Sequence, residues 1–368
     1  MASLTPEERT ALQVSVVRLL GDLSTEAAVR SVMETPAGYD PELWSKLAEM
    51  GVVGLVINEA YGGAGAGPME LEAVMEAAGA ALLCAPLLGS SVLAAQLLQG
   101  LADEDAKRRL LPSMASGELI AAAAVTGDRG GWAASDVEVE AKPGAAGETL
   151  SGVASYVIHG QNAHVLLVLA KSADGLQVYE VDPKASGVEI KALPTFDHTL
   201  RAARITFDGV PAQRIAGDAA AAFAGAVDLA LVALAGEQAG GAQRCFDITV
   251  DYIKNRFQFG RAIGSFQAIK HMAADLLVET ESAISAARNA AAKLAAADKD
   301  APAAISLAAF ACADAFVKVT ADAIQMHGGI AFTWAYPAHL YLRRARSGAQ
   351  LFGPSEVHRE RYLQALGA

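Results

Sequence analysis

Apolar and polar positions along the chain repeat in three successive patterns. In the first part, charged and apolar residues mix at helical spacing, as at Leu71, Val74, Met75 and Ala78, which predicts helices with one buried face. Near Leu119 the period changes. Val137 and Val139 alternate with Glu138 and Glu140, and Ala203, Ile205 and Phe207 alternate with Arg204, Thr206 and Asp208. The apolar runs 165–170 and 176–181 lie between them, separated by Gly, Pro, Asp and Lys. Period two between turn clusters predicts an antiparallel β-domain that ends near Pro211. From about Ala216 the helical pattern returns. Phe246, Val250, Ile253 and Phe257 form one stripe, and Phe266, Ile269, Met272 and Leu276 a second. Residues 283–313 are Ala-rich and suit closely packed helices. The segment from Asp298 to Pro302 predicts a break between two of them. Helices, then strands, then helices argue for three consecutive blocks, 1–118, 119–215 and 216–368, rather than alternating βαβ units.

Two segments invite other readings. Residues 61–67, Tyr-Gly-Gly-Ala-Gly-Ala-Gly, follow an apolar run but contain no G-x-G-x-x-G, so a loop between helices is expected. Residues 77–102 carry no charge and are long enough to span a bilayer. Pro86, Gly89, Ser90, Ser91, Gln96 and Gln99 interrupt them, which predicts two short core helices and no membrane insertion.

Of the 368 residues, 53% are hydrophobic. That is more apolar material than a lone monomer usually needs, so part of it is expected to face another subunit. The net charge of −12 opposes nucleic-acid binding, which needs a basic surface. It leaves room for an anionic ligand held by a few placed Arg residues. Cys84, Cys245 and Cys312 are far apart and among small or apolar neighbours, so buried, inert thiols are expected. The seven histidines show no metal-ligand spacing, and no metal is expected. The N-terminus carries charges where an export signal needs an apolar core, so a cytoplasmic chain is expected.

Three ordered motifs carry a family resemblance. Residues 107–118 read Lys-Arg-Arg-Leu-Leu-Pro-Ser-Met-Ala-Ser-Gly-Glu. Residues 255–267 read Asn-Arg-Phe-Gln-Phe-Gly-Arg-Ala-Ile-Gly-Ser-Phe-Gln. Residues 325–333 read Gln-Met-His-Gly-Gly-Ile-Ala-Phe-Thr, followed by Tyr336-Pro337 and Arg343-Arg344-Ala345-Arg346. In this order, over nearly the whole length, they resemble the acyl-CoA dehydrogenase family. The resemblance implies an N-terminal α-helical domain, a middle antiparallel β-domain and a C-terminal four-helix bundle. It implies FAD held between two subunits, the β-domain of one holding the flavin and the bundle of its neighbour the diphosphate and adenine. It also implies a reaction: a base removes the acyl α-proton while hydride leaves the β-carbon for the flavin.

Matched to the motifs, Arg256 is implied to reach the FAD diphosphate, where a guanidinium offers forked donors. Phe259, Phe266, Gln267, Gln325 and the Gly328-Gly329 pair match other positions of that half-site. The bland alternatives are a surface ion pair for Arg256, core packing for the two Phe and a helix break for the glycines.

Elsewhere the chain departs from the family pattern. The usual base position, a Glu near the C-terminus, falls on Phe352; the alternative, early in the helix before the Arg256 motif, falls on Ala230. Neither takes a proton, so no catalytic residue is assigned. Asp228 lies on a nearly opposite helical face from Ala230, and Glu237 shares its face about two turns on. On the flavin side, residues 125–136 keep Thr126, Ser135 and Asp136, but the loop is longer and Gly127 replaces a Glu. Tyr156, Val157 and Ile158 stand where the family has Trp-Ile-Thr, which puts Ile158 in place of the Thr that bonds the flavin.

One half-site kept and one eroded, with the base gone, suits the non-catalytic chain of an α2β2 enzyme. Its paralogous catalytic partner would hold most of the acyl-CoA substrate. The His358-Arg359 ending resembles such chains of actinobacterial enzymes that act on steroid side-chain thioesters. Two alternatives stay open. One is a homotetrameric dehydrogenase with a displaced base, Asp228 or Glu237. The other is a non-enzymatic structural partner without flavin.

Overall fold

The computed structural model describes residues 4–144 and 147–367. Six helices come first: α1 (Pro6–Leu23), α2 (Glu26–Met33), α3 (Pro41–Glu49), α4 (Pro68–Ala80), α5 (Ala95–Gly100) and α6 (Glu104–Ala115). Local chemistry sets their starts. Thr5 and Glu8 form a reciprocal capping box ahead of Pro6, and Asp40 and Asp103 accept from the first turns of α3 and α6. The uncharged stretch 77–102 holds the end of α4, a turn at Pro86, a π-helix (Leu87–Ala94) and α5. Tyr61 ends a single 3₁₀ turn, and residues 62–67 form a loop after it.

Seven strands follow: β1 (Ala121–Ala124), β2 (Glu140–Gly144), β3 (Gly147–Ile158), β4 (Val165–Ser172), β5 (Gly175–Val181), β6 (Val188–Ala192) and β7 (Ala202–Ile215). The sheet runs β1-β4-β2-β3-β7-β5 and closes on itself through β4–β5, with β6 beside β7. Most pairs are antiparallel; β1 joins β4 in parallel. Leu150, Val157, Leu166, Val168, Tyr179, Ile205 and Phe207 fill the core. Two strand bounds differ from the sequence pattern. Val137 and Val139 are buried but precede β2, and β7 runs past Pro211 to Ile215.

The last block holds α7 (Ala219–Asn255), a small hairpin of β8 (Phe257–Gln258) and β9 (Arg261–Ala262), then α8 (Gln267–Ala295), α9 (Ala301–His327), α10 (Ala338–Gly348) and α11 (Ser355–Ala365). The break at 296–300 falls where Asp298 and Pro302 predict it. The expected stripe through Phe257 is corrected: α7 ends at Asn255, and Phe257 turns outward in β8. All three cysteines are buried, and burial pushes the Cys245 thiol up to about 12.

Contacts group the chain into two units. Of the described residues, one comprises 4, 32–67, 84–144 and 147–230; the other comprises 5–31, 68–83 and 231–367. In the second unit, α4 and α7 cross at backbone distance. A Cβ at Gly79 would overlap the Glu237 carbonyl oxygen, and one at Gly240 would overlap that of Glu76. Only glycine allows this approach.

Candidate functional site

The Arg256 motif and the Gly328-Gly329 motif sit at the ends of α7 and α9. An aromatic cluster ties those ends together. The Tyr252 ring stacks on His327 at 4.3 Å, and Tyr336 lies 4.8 Å from His327 and 5.8 Å from Tyr252. Tyr252 donates to the His327 carbonyl at 3.2 Å. The His327 Nδ1–H donates to the Ala323 carbonyl at 2.7 Å, which leaves Nε2 to accept from the Tyr336 hydroxyl at 3.2 Å. Burial holds the imidazole below its ordinary value, so it is neutral near pH 7.

Around this anchor the sequence-matched residues come to the surface. Arg256 is exposed and forms no ion pair among the described residues. Phe259 is 92% exposed, with a left-handed φ of 54°, a conformation strained for a bulky residue. It meets Phe266 edge-on at 6.2 Å, and the Arg261 guanidinium covers the Phe266 ring at 3.9 Å. Gln267, Gln325, Gly328 and Gly329 are exposed. Gly328 has φ +66°, and a Cβ at either glycine would meet nothing within 4 Å. The surface therefore offers a cation, aromatic faces, amides and open backbone, a donor set that fits a diphosphate joined to an aromatic base. Phe332, 79% exposed, and Trp334, 52% exposed, add apolar area in the same segment.

The loop of residues 125–136 presents a different chemistry. Asp128 takes a two-pronged ion pair from Arg204, both contacts at 2.9 Å, and also accepts from Ser155. These bonds, the one to Arg204 first, hold the Asp128 carboxyl down at about 2. The Thr126 hydroxyl donates to the Ser155 carbonyl. A register shift in β3 between Ala154 and Val157 turns Tyr156 outward with φ 57°, and the edge of its ring lies over Gly130. Ile158 is buried against Gly89. The loop's Thr126 and Asp128 thus already have partners, and Ile158 presents no polar atom. These residues do not fit the polar edge of a flavin.

Neither base position carries an acid. Phe352 is buried, with φ 62° before Gly353, and Ala230 is buried. Glu237 is engaged by Arg344, and Asp228 is half-buried on α7. No cluster of metal-ligating residues occurs among the described residues. Sequence reasoning missed Tyr252 and the Asp128–Arg204 pair. Tyr252 stands four residues before Arg256, one turn away on the same face, which is a readable signal. Asp128 and Arg204 are 76 residues apart, and nothing in the sequence joins them.

The acyl-CoA dehydrogenase N-terminal domain model matches residues 6–118, and the C-terminal domain model matches residues 221–367. Acyl-CoA dehydrogenase IpdE2 of Mycobacterium tuberculosis is 35% identical, with 96% of each chain covered. IpdE2 of Mycolicibacterium smegmatis is 34% identical, with 95% of each covered. Among solved structures, the ChsE4-ChsE5 complex from Mycobacterium tuberculosis superposes with a TM-score of 0.90 at 27% identity, covering 100% of this chain and 99% of that one. A variant of the Tcur3481-Tcur3483 steroid ACAD superposes at 0.88 with 29% identity, covering 98% of each. With both terminal domains matched and near full-length relatives above 30% identity, the chain belongs to the acyl-CoA dehydrogenase family.

Proposed function

We propose that the chain is the non-catalytic subunit of an FAD-dependent acyl-CoA dehydrogenase, lending the diphosphate and adenine half-site to a flavin held by a paralogous catalytic chain. The observation that carries this reading is the contrast within one chain. Arg256 and the open Gly328-Gly329 backbone fit the cofactor's anionic half, while Phe352 fills the base position and the 125–136 loop is bonded to Ser155 of β3 and Arg204 of β7. FAD, when bound, supplies hydride acceptance. This chain's Arg256 would neutralise diphosphate charge, its glycines would bring backbone N–H groups close, and Phe259 and Phe266 would flank the aromatic base. The exposed Phe259, Phe332 and Trp334 favour a partner chain that covers them. Similarity to a steroid ACAD and to a two-chain complex supports an α2β2 assembly acting on acyl-CoA thioesters of steroid side chains.

Co-expression with the paralogue tests this. The chain alone should purify without flavin, and the complex should be yellow with two FAD per four chains by native mass spectrometry. Four FAD per tetramer, or a yellow homotetramer that ignores the paralogue, would overturn it.

A further inference from the structure

Within the second unit, α1, α2, α4, α7 and α10 line an open cavity of about 570 Å³. That size falls in the range of small-molecule pockets. Neither Phe352 nor any residue of the Arg256 half-site lines it. Leu20, Val29, Leu82, Ile248 and Leu340 supply apolar walls. Nearby backbone acceptors are already engaged: the Tyr341 hydroxyl donates to the Ala80 carbonyl at 2.7 Å, and Ser24 donates to that of Ala81 at 3.2 Å. Leu82 is buried in a left-handed conformation, φ 47°. That costs backbone energy, so the surrounding packing must impose it.

Glu26 and Arg244 are the two charged residues that line the cavity. Glu26 is paired with Arg30 at 2.8 Å. Arg244 lies beside the Tyr341 hydroxyl at the exposed rim and forms no ion pair among the described residues. One cation without a counterion, at the mouth of an apolar chamber, matches a ligand with an apolar body and one anionic head. We propose that this cavity binds a small amphipathic carboxylate, its chain against Leu20, Ile248 and Leu340 and its head on Arg244. The site is separate from the flavin half-site, and its occupancy does not depend on the flavin reading.

Calorimetric titration of the purified full chain with decanoate and, in parallel, with 1-decanol tests the proposal. Decanoate should bind at one site per chain, about tenfold or more tighter than the alcohol. Arg244→Gln should remove that preference and leave alcohol binding in place. Gly21→Leu should abolish both, since Gly21 lines the cavity and a Cβ there meets nothing within 4 Å. The same open space, and the gain in helix propensity, mean this variant should fold; circular dichroism checks that it does. Absence of saturable decanoate binding, uptake of many molecules per chain, or wild-type affinity in either variant would overturn the assignment.

Discussion

Arg344 donates to the Glu237 carboxylate at 3.0 Å, with the two side chains 5% and 10% exposed. The same guanidinium donates to the Leu83 carbonyl at 2.9 Å. Glu237 thus acts as a strut between α7 and α10. Glu237→Gln should lower stability by ~3–5 kcal/mol, because it breaks a buried ion pair by removing one charge. The melting temperature should fall, while turnover per folded complex should hold. A large loss of turnover at unchanged stability would return Glu237 to the list of bases.

The isolated chain should not oxidise acyl-CoA. With Phe352 and Ala230 at the two expected base positions, the general-base contribution of ~10²–10⁴-fold should be missing. Steady turnover of the pure chain with an artificial electron acceptor contradicts this. Its loss on Asp228→Asn would then name the base.

Arg256→Ala should release FAD from the assembled complex while the subunit stays folded. A charge-assisted contact to phosphate is worth ~1.5–3 kcal/mol, or about tenfold to a hundredfold in affinity. Flavin fluorescence on dilution reads the release. Full retention at low protein concentration would remove Arg256 from the half-site.

His358 should make the fold acid-sensitive. Its Nε2–H donates to the Gly353 carbonyl at 3.1 Å, and burial, with Arg361 nearby, pushes the imidazole from 6.5 down to about 4. Between those values the unfolded chain binds a proton that the folded chain refuses. The stabilisation is complete above pH 6.5 and is lost as pH falls towards 4, by at most ~3 kcal/mol. His358→Gln should flatten denaturant midpoints across that window; an unchanged slope would show that other groups set it.

Glu72 should act in the opposite direction. It is buried on α4, and burial first, then Glu76, pushes its carboxyl from 4.5 up to about 8. The folded chain keeps a proton that the unfolded chain releases, so this stabilisation is complete below pH 4.5 and lost as pH rises towards 8. Glu72→Gln should raise the melting temperature at the alkaline end and leave the acid end unchanged. Equal shifts at both ends would assign the effect to packing.

The pattern of side chains carried the three blocks, because period two and period 3.6 leave different marks on where apolar residues recur. It misplaced Phe257 because a periodic stripe does not register a stop; the hairpin at Gly260, with φ +76°, is where the helix has already ended. The motifs singled out Arg256 and the glycine pair, which lie together at the surface of one unit. They could not reveal that Asp128 reaches Arg204, since that pairing depends on how a loop meets a strand far along the chain. Nor could they show Glu237 bound to Arg344, for which spacing along α7 is silent.

The Tyr252–His327–Tyr336 cluster bears on the order of events during assembly. Because these rings, His327 buried and both tyrosines half-buried, join the ends of α7 and α9, Arg256 and Gly328 would meet a cofactor already set in relation to each other. Little backbone entropy would then remain to be lost on docking of FAD. Capture should therefore be limited by the meeting of the two subunits, with a rate that scales with partner concentration and shows no slow unimolecular phase.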